Sequence, residues 1–208
     1  RGSSCRSSCY CSFPLRTPEY PTELTLGTPT VGSVLREAGY ETAFFGKWHL
    51  NRHHGHYLQW SPTHGPLAFG FETGSSEFGA HPYSYPSKKN KPPAVPAGTF
   101  PDDALTGLAV NFLKKPHAKP FFLWLAFYYV HEPFHSRAAW LVDEYGRKLP
   151  ADASVQRRNY AAMVATMDNE VGRVLDALDA AGLSKNTIVI FTSDNGGHPL
   201  VSANGPLR

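Results

Sequence analysis

Seven consecutive residues, Phe121-Phe122-Leu123-Trp124-Leu125-Ala126-Phe127, are apolar on both of the faces that a β-strand presents. Such a run fits a central strand covered by helices on each side. Thr187-Ile188-Val189-Ile190-Phe191 has the same character and predicts another buried strand. A shorter strand is predicted from Glu41 to Phe45, ending at Gly46. Helical patterns lie between and before these runs. Thr28 suits an N-cap and Pro29 the first helical position, followed by Val31, Val34, Leu35 and Ala38 at helical spacing and Gly39 as a stop.

Asp102 or Asp103 caps a second predicted helix, whose apolar stripe is Leu105, Leu108, Ala109, Phe112 and Leu113 and which Pro116 ends. A long third helix is predicted near 153–181, with a stripe of Tyr160, Met163, Val164, Met167, Val171, Val174, Leu175 and Leu178 and a stop at Gly182. Alternating helices and apolar strands predict an α/β sandwich with a mainly parallel sheet. Residues 51–100 read as a loop-rich insertion without repeats, and residues 1–27 as an irregular, Ser-rich leader broken by Pro14, Pro18 and Pro21.

The 208 residues allow one large domain or part of a bigger one. With 41% hydrophobic and 18% charged residues the chain reads as globular, and a formal charge of +3 without a basic stripe argues against a nucleic-acid partner. No apolar run is long enough to span a bilayer. The first residue is Arg1 and the last, Arg208, follows soon after a predicted strand and loop, so the chain is read as a fragment. All three cysteines, Cys5, Cys9 and Cys11, lie in the leader, and their odd number leaves at least one unpaired.

Each predicted strand is followed closely by polar residues: Gly46-Lys47-Trp48-His49, then His131-Glu132-Pro133, then Asp194-Asn195-Gly196-Gly197. Open α/β sheets bind ligands outside the carboxyl ends of their strands, so three segments aim chemistry at one edge. Asp194 and Asn195 offer hard oxygen ligands of the kind that Ca²⁺ or Mg²⁺ takes. Lys47 can hold an anionic ester oxygen, and His49 and His131 can exchange protons near neutral pH. Taken singly, Asp-Asn-Gly-Gly is a common turn and a lysine after a strand is usually solvated. Their shared position after three strands is what gives them weight. Arg52-His53-His54-Gly55-His56 reads as a solvated loop near the mouth of such a site. No phosphate-binding loop, dinucleotide glycine fingerprint or Gly-x-Ser-x-Gly elbow is present.

Leu35-Arg36-Glu37-Ala38-Gly39-Tyr40, Gly46-Lys47-Trp48-His49-Leu50, Pro120-Phe121-Phe122-Leu123 leading into His131-Glu132-Pro133-Phe134, Met167-Asp168 with Gly172 and Leu175, and Phe191-Thr192-Ser193-Asp194-Asn195-Gly196 together resemble the sulfatase catalytic domain. The resemblance runs from about Thr28 onward. It implies an alkaline-phosphatase-like three-layer sandwich, here incomplete, and hydrolysis of sulfate esters. It implies that Lys47, His49 and His131 contact the sulfate or the leaving oxygen, and that Asp194 and Asn195 hold a divalent cation, usually Ca²⁺, less often Mg²⁺.

The family's nucleophile is a formylglycine hydrate made in a Cys/Ser-x-Pro-x-Arg motif. Ser12-Phe13-Pro14-Leu15-Arg16 has that spacing, with Ser12 as the formylglycine precursor and Arg16 as its partner. Its flanks depart from the family, which usually has a small residue before the Arg and an Ala-rich helix after it; here Leu15 and Thr17-Pro18 stand there. The family's amino-terminal strand with its paired acidic ligands, and a further active-site lysine, have no counterpart in the chain. The parent protein is therefore expected to hydrolyse a small-molecule or carbohydrate sulfate ester in a periplasmic, secreted or lysosomal setting, and this piece to turn over little. Two alternatives stay open: a phosphate, phosphodiester or phosphonate ester hydrolase of the same superfamily, and a non-catalytic binder of sulfated sugars.

Overall fold

The computed structural model describes residues 23–52, 55, 58–87, 89–203 and 205. Ser12, Arg16, the three cysteines and His53, His54 and His56 lie outside the described residues. The elements in chain order are α1 (Val31–Glu37), β1 (Glu41–Gly46), β2 (Thr73–Ser75), α2 (Ala104–Leu113), β3 (Phe121–Ala126), α3 (Ala139–Lys148) and α4 (Val155–Ala180), with 3₁₀ turns at Pro66–Phe69, Pro82–Ser84 and Ser184–Asn186.

The strands form one parallel sheet in the order β2-β1-β3. Its central strand is β1, not the Phe121–Phe127 run. Ala43, Phe44 and Phe45 are buried, whereas Trp124 on β3 is 44% exposed. The reason is position in the sheet: among the described residues β3 has a neighbour on one side only, and apolar composition does not say which strand lies in the middle. One face of the sheet puts Ala43, Phe45, Leu123 and Leu125 against Leu105, Ala109, Phe112 and Leu113 of α2 and Ala177 and Leu178 of α4. The other face puts Phe44, Phe122 and Ala126 against Trp48, Trp60, Phe69 and Phe71. Gly32 of α1 lies against the Phe71 ring, where a larger side chain would collide. Burying each of these large apolar side chains contributes about 1.5–3 kcal/mol.

Helix α1 begins two residues later than Thr28 suggested. Its cap is Thr30, whose hydroxyl accepts the Ser33 N–H at 3.1 Å and donates to the Phe69 carbonyl at 2.5 Å, while the Ser33 hydroxyl accepts the Thr30 N–H. The tertiary contact to Phe69 selects Thr30 over Thr28. Helix α2 starts where expected, with Asp103 as the cap. Helix α4 is capped by Ser154, and it buries a narrower face than the predicted stripe. Ala162, Met163, Thr166, Glu170, Ala177 and Leu178 are buried, but Val164 and Leu175 are exposed. Helix α3 falls in a stretch read as irregular; it has no side-chain cap and only Leu141 fully buried, so it carries little of the usual sequence signal.

Two further expectations are corrected. The segment 51–100 contains β2, whose Thr73, Gly74 and Ser75 pair with Ala43, Phe44 and Phe45 through the main chain alone, without apolar alternation to announce it. The predicted third buried strand is absent from the sheet: Ile188 and Ile190 are 89% and 82% exposed, and among the described residues no main-chain ladder reaches 187–191. A strand exists only with a partner for its N–H and C=O groups, and hydrophobic sequence cannot supply one.

Candidate active site

The carboxyl ends of β1, β2 and β3 open on the same edge, because the three strands are parallel. Lys47 follows β1 directly, and its N–H extends the ladder to the Ala126 carbonyl of β3 at 2.9 Å. Gly46 makes that approach possible: its φ is 105° and a Cβ there would overlap the Ala126 carbonyl oxygen. The Gly46 carbonyl is held by the Trp60 indole N–H at 3.0 Å, and the Trp48 indole N–H donates to the His64 carbonyl at 2.8 Å. Lys47 leaves this rigid frame half-buried, with no ion pair among the described residues. His49 is exposed, on a left-handed backbone with φ 51°.

His131 follows β3 through Phe127–Val130, its N–H bonded to the Tyr128 carbonyl. Its Nδ1 lies 2.7 Å from the Glu132 carbonyl and 3.2 Å from the Tyr83 hydroxyl. A carbonyl only accepts, so Nδ1 carries the hydrogen. The other nitrogen, Nε2, is then the one that takes or gives a proton, and it has no hydrogen bond among the described residues.

The segment after β2 contributes His81, which the sequence reading did not single out. His81 is fully buried. Its Nδ1 accepts the Tyr83 N–H at 3.2 Å, and its Nε2–H donates to the His131 carbonyl at 2.8 Å. Its pKa falls from 6.5 to about 4, chiefly because burial penalises the imidazolium; the charges of His131 and Lys47 lower it further. Lys47 and His131 thus both lie within electrostatic reach of one buried ring. A second pair runs parallel to the first: the Tyr85 hydroxyl lies 3.0 Å from His135 Nδ1, and burial pushes Tyr85 up to about 12. The signal for this segment was only its density in His and Tyr within 51–100.

Asp103 secures the β2 segment from below. One carboxylate oxygen accepts the Ala80 N–H at 2.7 Å and the other the Thr106 N–H at 2.9 Å. Gly79 packs so close to that carboxylate that a Cβ would collide with it.

Asp194 and Asn195 follow the 187–191 segment. Both are exposed, in a bend held by local bonds: the Ser193 hydroxyl to the Asn195 carbonyl at 2.6 Å, and the Asn195 amide to the Gly196 carbonyl at 2.7 Å. Calcium takes roughly six to eight oxygen ligands. Among the described residues no group of three or more His, Cys, Asp or Glu side chains converges on a point. The described donors therefore do not fit a divalent-cation site.

A family model described as Sulfatase matches residues 2–207. The chain belongs to the sulfatase family. Among its sulfatase relatives, arylsulfatase J of Mus musculus is 29% identical over 208 aligned residues, covering 92% of this chain and 33% of that protein. N-acetylgalactosamine-6-sulfatase of Mus musculus is 33% identical, covering 89% of this chain and 38% of that protein. The chain thus spans about a third of the length of these curated relatives. A crystal structure of Ps i-CgsB in complex with k-i-k-neocarrahexaose superposes with a TM-score of 0.53 at 26% identity, over 80% of this chain and 41% of that one. The open parallel sheet with its helices is an incomplete version of the alkaline-phosphatase-like sulfatase fold. No helix among the described residues is long and apolar enough to cross a membrane.

Proposed function

We propose that the parent protein of this chain hydrolyses sulfate esters, with Lys47 and His131 at the centre of its oxyanion cradle. The observation that supports this reading most is their convergence: two residues 84 positions apart in sequence (47 and 131) leave neighbouring parallel strands on one edge and act on the same buried imidazole. Lys47 supplies a half-buried point charge for an anionic ester oxygen. His131, with Nδ1–H fixed by the Glu132 carbonyl, offers Nε2 for protonating the leaving oxygen. His49 joins them on the strength of the family resemblance.

Ser12 as the formylglycine precursor, with Arg16 as its partner, belongs to the same reading. So does Ca²⁺ at Asp194 and Asn195, which needs oxygen donors beyond those described. The steps assigned here rest on Lys47, His49 and His131. A carbohydrate sulfate fits the names of the relatives, and the segment 51–100, with its His and Tyr side chains, is the candidate for specificity. A secreted, periplasmic or lysosomal setting goes with this function.

The 208-residue chain alone is proposed to turn over little, because the described donors do not complete a divalent-cation site. Incubating it with Ca²⁺ and a chromogenic aryl sulfate checks this; brisk hydrolysis refutes it. On the full-length parent, aryl and sugar sulfates should be cleaved in preference to the matching phosphate esters. The reverse preference would move the protein to a phosphate-ester hydrolase of the same fold, since Lys47 and His131 suit either oxyanion.

A further inference from the structure

We propose that His81 is a positioning residue for His131: its two ring nitrogens tie the segment after β2 to the segment after β3, and so hold the Tyr83 hydroxyl and the Glu132 carbonyl on one ring nitrogen of His131 and leave the other for proton transfer.

The geometry works on both sides of the ring. The main-chain N–H of Tyr83 can only donate, so Nδ1 of His81 must accept. The carbonyl of His131 can only accept, so Nε2 of His81 must carry a hydrogen. One neutral tautomer satisfies both bonds. Protonation would remove the acceptor that the Tyr83 N–H needs and place a second donor at a fully buried ring.

The groups facing His81 are consistent with a neutral ring. Lys47 comes from the end of β1 and His131 from beyond β3, and each disfavours added positive charge. The rings of Tyr83, Tyr128 and Tyr129 pack around it with centroids 4.4, 6.2 and 5.9 Å away. The Asp103 carboxylate, which holds the N–H of the adjacent Ala80, is occupied by that group and the N–H of Thr106.

The consequence falls on His131. Its main chain is anchored by His81 and its Nδ1 faces Tyr83, which His81 also anchors. A free imidazole in water favours the Nε2–H tautomer. The anchored arrangement enforces the opposite one, with Nδ1–H bonded and Nε2 ready to take a proton. The value of that tautomer to catalysis rests on the hydrolytic reading above, whereas the tautomer itself can be observed without turnover.

The experiment uses the 208-residue chain labelled with ¹⁵N-histidine, following long-range ¹H–¹⁵N correlations from about pH 4 to pH 9. In the unsubstituted chain His131 should be an Nδ1–H tautomer when neutral, and His81 a neutral Nε2–H tautomer down to about one unit above pH 4. Two substitutions separate the roles of the ring. His81→Asn keeps an acceptor for the Tyr83 N–H but is too short to donate to the His131 carbonyl. His81→Gln places a donor at the Nε2 position. His131 should shift to predominantly Nε2–H in His81→Asn and stay Nδ1–H in His81→Gln. Tyr83→Phe, which removes one hydroxyl, should change the Nδ1 signal of His131. Spectra of His131 that are the same in the unsubstituted chain, His81→Asn and Tyr83→Phe overturn the proposal, as does an Nε2–H tautomer at the outset. If His81→Asn does not fold, Tyr83→Phe with His81→Gln decides. A parent protein that fails to cleave sulfate esters would leave these spectra unchanged, so the two failures are distinct.

Discussion

The Nε2–H of His81 donates to the main-chain carbonyl of His131 at 2.8 Å, and this bond joins the segments that follow β2 and β3. It ties the residue proposed for proton transfer to a buried ring that stays neutral to about pH 4.

That neutrality makes stability depend on pH in one direction. The unfolded chain takes up a proton on His81 as pH falls through 6.5, whereas the folded chain resists until about 4. The unfolded state binds more protons in that window, so stability is lost as pH falls from 6.5 toward 4 and is unaffected above it. The full difference is on the order of 3 kcal/mol. Urea unfolding at about pH 7 and pH 4.5 should show a larger loss for the unsubstituted chain than for His81→Gln. Equal losses in the two proteins would contradict the assignment.

Gly46→Ala should destabilise the chain by about 2–4 kcal/mol. The new methyl group would meet the Ala126 carbonyl on a backbone with φ 105°, just where Lys47 leaves the sheet. Thermal unfolding measures the cost. A melting temperature within a degree or two of the original would show that the strand ends are looser than described.

Asp103→Ala removes a helix cap and strands two main-chain donors, those of Ala80 and Thr106, in a buried place. The loss should be about 3 kcal/mol. Asp103→Asn keeps an acceptor oxygen and should recover part of it. Chemical denaturation of both variants tests the ranking, and a neutral Asp103→Ala would remove Asp103 as the anchor of the His81 segment.

In the full-length parent, Lys47→Ala and His131→Ala should each lower kcat on a sulfate ester by two orders of magnitude or more, with the fold retained by circular dichroism. Near-normal turnover in both would take them out of the chemistry.

The sequence by itself determined the local units. Glu41–Phe45, the Leu105–Leu113 stripe and the long Tyr160–Leu178 stripe became β1, α2 and α4 because period and caps act within a few residues of chain. It also placed Lys47 and His131 at strand ends, and the ordered motifs around them carried the family. Tertiary structure decided what needs a distant partner. It made β1 rather than β3 the central strand, added β2 through main-chain bonds that no side-chain pattern announces, and left Ile188–Phe191 outside the sheet. It also brought in His81, whose role comes from burial and two bonds to other residues, one of them 50 positions away. Periodicity reports which residues prefer to be buried; only packing decides which N–H meets which C=O and which charges share a cavity.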